Sequence, residues 1–222
     1  VIGNMGLIKP REGFLEFLRA ITRKHGTLLI FDEVMTGFRL APGGACELYG
    51  VSPDIVTLGK IIGGGLPIGC YGGSLDIMKN VAPEGGVYQA GTLSGNPLAV
   101  AAGIAMLRTL IKNKDKIYPA LEEKGKFLEE SMNAIIKRRG EKIFVNRKGS
   151  MFTIFFTSEE PVCADCAKKS DTAKFSKFFH EMLNRGVYMA PSQFEANFIS
   201  YAHDRQCLDK TVKAFSEALE AL

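Results

Sequence analysis

Lys60 closes a β-branched apolar run, Ile55-Val56-Thr57-Leu58-Gly59, and opens a glycine-rich one, Ile61-Ile62-Gly63-Gly64-Gly65-Leu66-Pro67-Ile68-Gly69. A lysine attacks carbonyl carbon only as the free amine, because the ammonium, with a reference pKa of about 10.4, has no lone pair. Many lysines at strand ends merely lay their stems along apolar surface, so Lys60 needs a partner before it implies chemistry. Upstream, Leu28-Leu29-Ile30-Phe31 is a continuous apolar run that stops at Asp32 and Glu33, the pattern of a buried parallel strand. Acids at the carboxyl end of such a strand face the ligand crevice of an α/β sheet.

An aspartate there can keep a heteroaromatic nitrogen protonated through a charge-assisted hydrogen bond, which makes the ring an electron sink. A lysine for an imine and an aspartate for the ring nitrogen are the minimal pair for pyridoxal 5'-phosphate. Val34, two residues on along the strand, falls on the same side as Asp32 and is expected to pack on the ring. A third stretch, Gly91-Thr92-Leu93-Ser94-Gly95-Asn96-Pro97, offers hydroxyls and amides just before a helix, where partial positive charge favours an anion; simple helix capping is the alternative. Nucleotide loops fit poorly, since a Walker motif puts its lysine after the glycines and follows it with Ser or Thr. Cys163-Ala164-Asp165-Cys166 is a C-x-x-C, but a zinc site takes about four ligands and neither a second C-x-x-C nor a histidine pair accompanies it. No metal is expected, and the five cysteines are read as reduced thiols.

The elements that must position these groups follow a helix-then-strand rhythm. Residues 13–24 predict an amphipathic helix with Phe14, Phe17, Leu18 and Ile21 on one face, ended by His25-Gly26. Strands are expected over 28–32, 55–58 and 68–73, with short helices over 45–49 and 75–79, the second capped by Ser74. Residues 98–111 predict a helix buried between layers. The chain then turns charged at Lys112-Asn113-Lys114-Asp115-Lys116, which sets a domain boundary near 110. Beyond it, helices over 121–138, 172–184 and 207–219 and strands over 150–156, 187–189 and 197–201 predict a small α+β domain. Phe175, Phe178, Phe179 and Met182 point inward.

The order Phe31-Asp32-Glu33-Val34-Met35-Thr36-Gly37-Phe38-Arg39, then Pro53 to Lys60, then Gly91 to Pro97 resembles the fold-type I, class III pyridoxal-phosphate-dependent aminotransferase family. Gly3-Asn4-Met5-Gly6 and Ala190-Pro191-Ser192-Gln193-Phe194-Glu195-Ala196 are similar to its intramolecular aminomutase branch. The match runs across nearly the whole chain but only to the family's second half. It implies an α/β fold, with residues 1–110 as part of the cofactor-binding large domain, a mostly parallel sheet with helices, and residues 111–222 as the small C-terminal α+β domain. It implies that Lys60 holds the cofactor aldehyde and shuttles protons, that Asp32 binds the ring nitrogen and that Asn4 bonds the ring hydroxyl. Thr92, with Gly91, would meet the phosphate across the interface of a homodimer with shared active sites. Glu195 would stand near the cofactor lysine, a match that favours the mutase.

The activity so implied converts glutamate 1-semialdehyde to 5-aminolevulinate for tetrapyrrole synthesis, with the cofactor passing through its pyridoxamine form. Two alternatives stay open, an ω-amino acid or ornithine-type aminotransferase and a catalytically silent dimerising fragment. The chain starts Val1-Ile2-Gly3 without an initiator methionine, as though cut from a longer one. The family's first half normally supplies a phosphate loop, a ring-stacking aromatic residue and a lid, so weak cofactor binding and little activity are expected of these residues alone. With 222 residues, 46% hydrophobic and 23% charged, the chain has ordinary globular composition. A net charge of +4 gives little support to nucleic-acid binding. Neither a membrane span nor a secretory start is evident, which predicts a soluble, cytoplasmic protein with a small-molecule substrate.

Overall fold

Gly13, at φ 76°, turns the chain into helix α1 (Phe14–Lys24), and the amides of His25 and Gly26 close it on Ile21 and Arg23. The computed structural model describes residues 1–222, and they divide into one unit of Glu12–Asp115 and another of Val1–Arg11 with Lys116–Leu222.

In Glu12–Asp115, α1 leads to strand β1 (Ile30–Asp32), helix α2 (Gly44–Tyr49) and strand β2 (Ile55–Gly59). β1 and β2 run parallel, with Ile30 opposite Ile55, Phe31 opposite Val56 and Asp32 opposite Thr57. The start of this ladder is fixed to α1 by Asp54, whose carboxylate accepts the Leu29 amide at 2.7 Å and pairs with Arg19 at 2.9 Å. That amide first, and the Arg19 guanidinium after it, hold the Asp54 carboxyl below its ordinary range. A 3₁₀ turn at Lys60–Gly63 then leads into strand β3 (Gly69–Gly73), which is antiparallel to β2 from Gly59–Gly69 to Ile55–Gly73. The connection is too short for a parallel crossover, which needs a dozen residues or more. The sheet is therefore one parallel and one antiparallel pair, not mostly parallel within this stretch.

Helix α3 (Leu75–Met78) follows Ser74, whose side chain makes no capping bond. Helix α4 (Pro97–Lys112) is capped by Asn96, whose Oδ1 accepts from the amides of Leu98 and Ala99 at 3.1 Å each. The expectation that this helix is buried on most faces fails: only Ala99 and Gly103 are buried, and Leu98 is 68% exposed. What α4 does bury is backbone, since a Cβ on Gly103 would strike the carbonyl of Ile62 in the 3₁₀ turn.

The other unit opens with helix α5 (Lys114–Arg139), most of which belongs to it, and the antiparallel strands β4 (Phe144–Lys148) and β5 (Met151–Phe155). Short helix α6 (Ala164–Ala167), helix α7 (Thr172–Asn184), strand β6 (Asn197–Phe198) and helix α8 (Arg205–Glu220) complete it. Phe178 and Phe215 meet edge to face at 5.6 Å, and Phe156 lies 5.3 Å from Phe178. Each such ring, fully buried, contributes about 1.5–3 kcal/mol by area.

Strand β4 has no counterpart in the sequence reading. Conversely, Val187–Met189 forms no strand: the Val187 amide is used by the α7 terminus through Met182, and the Ala190 amide just past the segment donates to the Asn197 side chain at 2.8 Å. The third expected strand shrinks to Asn197–Phe198 as the Ser200 amide turns to His203 Nδ1 at 2.9 Å.

Val1–Arg11 joins this unit through specific bonds. The Leu7 amide donates to Thr153 Oγ1 at 3.0 Å, Asn146 Nδ2 donates to the Leu7 carbonyl at 3.1 Å, and the Gly6 amide donates to the Phe194 carbonyl at 2.7 Å. Gly6 sits at φ 74° where a Cβ would collide with the Phe155 ring, so a side chain is excluded both by conformation and by space. A boundary near 110 with all earlier residues on one side does not describe this grouping. The change of unit falls within the first turn of α5, and the first eleven residues lie with the later ones.

Candidate active site

Asp32 ends β1, and its in-register partner on β2 is Thr57. Its Oδ1 accepts the Val34 amide at 3.0 Å and the Thr57 hydroxyl at 3.3 Å, while Oδ2 takes no protein donor. The carboxylate is thus oriented by two donors and keeps one oxygen for an incoming N–H. Lys60 follows β2 by one residue. Neighbouring strands lie about 4.8 Å apart, so the two groups stand at adjacent carboxyl ends of one sheet, the edge at which α/β ligands bind.

Lys60 adopts φ 48°, a left-handed conformation shared among non-glycine residues only with Phe38. Such residues cost about 1–3 kcal/mol and cluster at functional sites. Its side chain is exposed and its ammonium enters no ion pair. Val34 packs beside the same turn, since a Cβ on Gly59 would lie 3.1 Å from its Cγ1. Gly37 closes the loop after β1 onto β2, with Leu58 at 2.5 Å from a Cβ position there.

Glu33, not singled out from the sequence, fixes this end of β1. It is 2% exposed, and its carboxylate accepts the amides of Ala45 at 2.9 Å and Cys46 at 2.7 Å together with the Thr36 hydroxyl. Gly44, at φ 65°, lies so close that a Cβ would collide with that carboxylate. Alternation along the strand sends Glu33 inward and Asp32 outward, so one clamps the backbone and the other faces solvent. The acid next to Asp32 was the available signal.

Gly91 and Thr92 are exposed in the loop before α4. The loop is held by its own bonds, Ser94 amide to Gly91 carbonyl at 2.9 Å and Asn96 amide to Leu93 carbonyl at 3.1 Å. The first amides of α4 are consumed by Asn96, so the helix start offers no row of open N–H groups, and only the Thr92 hydroxyl and the Gly91 backbone would be left to contact an anion.

Asn4 and Glu195 belong to the other unit. Asn4 lies in a tight exposed turn closed by the Ile2–Ile8 bridge. The Thr153 hydroxyl receives the Leu7 amide and donates to the Glu195 carbonyl at 2.9 Å, which, with the Gly6–Phe194 bond, ties the Asn4 and Glu195 loops to one strand. Buried Gln193 anchors the second loop, its Nε2 donating to the Ile154 carbonyl at 2.7 Å. No sequence pattern marked Thr153 or Gln193 for this role. Glu195 borders a cavity of about 340 Å³ with Phe152, Met189, Pro191, Phe198 and His203.

The chain belongs to the class-III aminotransferases, whose family model matches residues 1–219. It is 54% identical over 222 residues, all of this chain and 51% of the relative, to a glutamate-1-semialdehyde 2,1-aminomutase from Persephonella marina. Among solved structures, a β-phenylalanine aminotransferase from Variovorax paradoxus superposes with a TM-score of 0.89 at 31% identity over 98% of this chain and 50% of that one. A glutamate-1-semialdehyde aminomutase from Pseudomonas aeruginosa in complex with PMP gives 0.86 at 27% identity over 99% and 50%. The fold is that of the fold-type I aminotransferases. The chain spans about half the length of the curated relatives it matches, and none of its helices is long and apolar enough to cross a membrane.

Proposed function

We propose that this chain carries the lysine-bearing half of a pyridoxal-phosphate enzyme that moves an amine within glutamate 1-semialdehyde to give 5-aminolevulinate. The observation that carries the reading is Lys60, left-handed and unpaired, beside Asp32 at neighbouring strand ends. Identity of 52–56% to curated proteins named for that reaction supports the substrate.

The residues fit the cofactor. Asp32 Oδ2 is an open acceptor for a protonated ring nitrogen, Val34 offers an apolar face beside Gly59, and Lys60 Nζ is accessible for covalent attachment. Thr92 and Gly91 would hold the phosphate from the partner protomer of a homodimer, and Asn4 the ring hydroxyl. When bound, the cofactor supplies an electron sink for the carbon that bears the migrating amine.

Lys60 Nζ takes a proton from one carbon and returns it to another, a task suited to a single base on a flexible stem. Asp32 would present its Oδ2 to the ring nitrogen, its Oδ1 being pinned by Val34 and Thr57. Glu195 is assigned to the substrate-facing side, where its carboxylate distinguishes a mutase from a transaminase that needs a second substrate. A cytoplasmic location agrees with this metabolic role.

Borohydride trapping after titration with pyridoxal phosphate, followed by peptide mass spectrometry, tests the attachment. Lys60 should be labelled at concentrations that leave the other lysines free, and Lys60→Ala should lose that early label. Labelling of Lys60 only together with surface lysines would overturn the proposal. In the enzyme as assembled, glutamate 1-semialdehyde alone should yield 5-aminolevulinate, whereas a requirement for an amine donor and 2-oxoglutarate would assign the site to a transaminase.

A further inference from the structure

Cys163 and Cys166 lie outside the machinery above. Their Sγ atoms are 2.6 Å apart, closer than two unbonded sulfurs normally approach and only about 0.5 Å beyond a disulfide bond. Cys163 is exposed and Cys166 half-buried, so a small reagent meets the first before the second. The turn that carries them is anchored at both ends. Ala167 is fully buried in a cluster with Ile8 and Phe155, and the Pro161 carbonyl accepts from buried Asn146 at 3.2 Å.

We propose that Cys163 and Cys166 form a reversible redox site, a dithiol that low-molecular-weight disulfides convert to an intramolecular disulfide. The Cys163 thiolate attacks one sulfur of the small disulfide, forming a mixed disulfide and releasing one thiolate. Cys166 then loses its proton to solvent and attacks Cys163 Sγ, releasing the second thiolate. Two protein thiols are oxidised and one small disulfide is reduced to two thiols. Cys163 is suited to the first attack, because the Cys166 thiol, and after it the Cys166 amide at 3.3 Å, stabilise its thiolate and hold its pKa below the usual value. Cys46 is the internal contrast, its thiol pushed up to about 12 by burial first and by Glu33 second. The new ring closes across a single helical turn, so oxidation should raise the unfolding midpoint less than a disulfide closing a long loop would.

The full chain is incubated with excess oxidised glutathione, quenched with N-ethylmaleimide and mapped by mass spectrometry. The expected peptide has lost two hydrogens at Cys163 and Cys166, carries neither maleimide nor glutathione there, and regains both thiols with dithiothreitol. Cys166→Ser should stop at one stable glutathione adduct on Cys163. Two maleimide-modified thiols in the wild type, or a persistent glutathione on its Cys163, would overturn the site. The wild-type result decides the matter by itself should the variant misfold.

Discussion

The two units hold together by different means. In Val1–Arg11 with Lys116–Leu222, Phe155, Phe178, Phe215, Met132 and Met182 are all fully buried, and the helices close over one antiparallel sheet. In Glu12–Asp115 the buried apolar side chains are few and mostly small, Leu29, Ala45, Val51, Ile62 and Ala99, while Phe14, Phe17, Leu28 and Ile30 stay exposed. Its order comes instead from polar clamps: Asp54 on Leu29 and Arg19, Glu33 on the start of α2, and Asn96 on the start of α4. The unit that bears Asp32, Lys60 and Thr92 is thus the one with the thinner core. Among these residues the strand and helix ends near Asp32, Lys60 and Thr92 are thus set by hydrogen bonds more than by buried side chains.

The largest effect should come from the dense side. Phe178→Ala removes a ring that touches Phe156 and Phe215 and should cost about 3–5 kcal/mol of unfolding free energy in denaturant titration. A cost under about 1 kcal/mol would mean that this core is looser than its burial implies. Glu33→Gln probes the polar side, and it keeps the shape while removing the charge that receives Ala45, Cys46 and Thr36. A loss of about 1.5–3 kcal/mol is expected. A second readout belongs to the clamp alone: the Cys46 thiol, held near 12 partly by Glu33, should fall partway, so alkylation of Cys46 at alkaline pH should speed up. An unchanged alkylation rate would separate Glu33 from Cys46 and break the polar account of this unit.

The candidate positions are legible in the sequence because they depend on local order. Asp32 at a strand end and Lys60 between a β-branched run and glycines are one-dimensional patterns, and α1, α7 and β2 follow period and capping just as directly. Burial was not legible in the same way. The alanine-rich run of α4 reads as a layered core helix, yet its exposure depends on what lies across from it, which no local pattern encodes. Strand β4 was missed because Asn146, Arg147 and Lys148 interrupt its apolar alternation; Asn146 is buried by bonds to Leu7 and Pro161, and Arg147 is paired with Glu129 at 2.7 Å and Glu122 at 2.8 Å. Val187–Met189 has strand-forming residues but no free ladder to join. Gln193 and Thr153 act through partners far along the chain, so their roles come only with the fold.

The smallest expected effect is the sharpest test of the contrast. Phe17 lies on the apolar face of α1 and is 60% exposed, so Phe17→Ser removes little buried area, and the two residues have similar helix propensity. Its stability change should stay within about 0.5 kcal/mol, as for surface sites away from caps and cores. Measured alongside Phe178→Ala, it compares one phenylalanine in each unit under the same conditions. A loss above about 1 kcal/mol that grows with protein concentration would mean that the stripe of Phe14 and Phe17 is covered in solution by another copy. The same loss at every concentration would mean that the stripe is covered within the chain, and the thin-core description of Glu12–Asp115 would then be wrong.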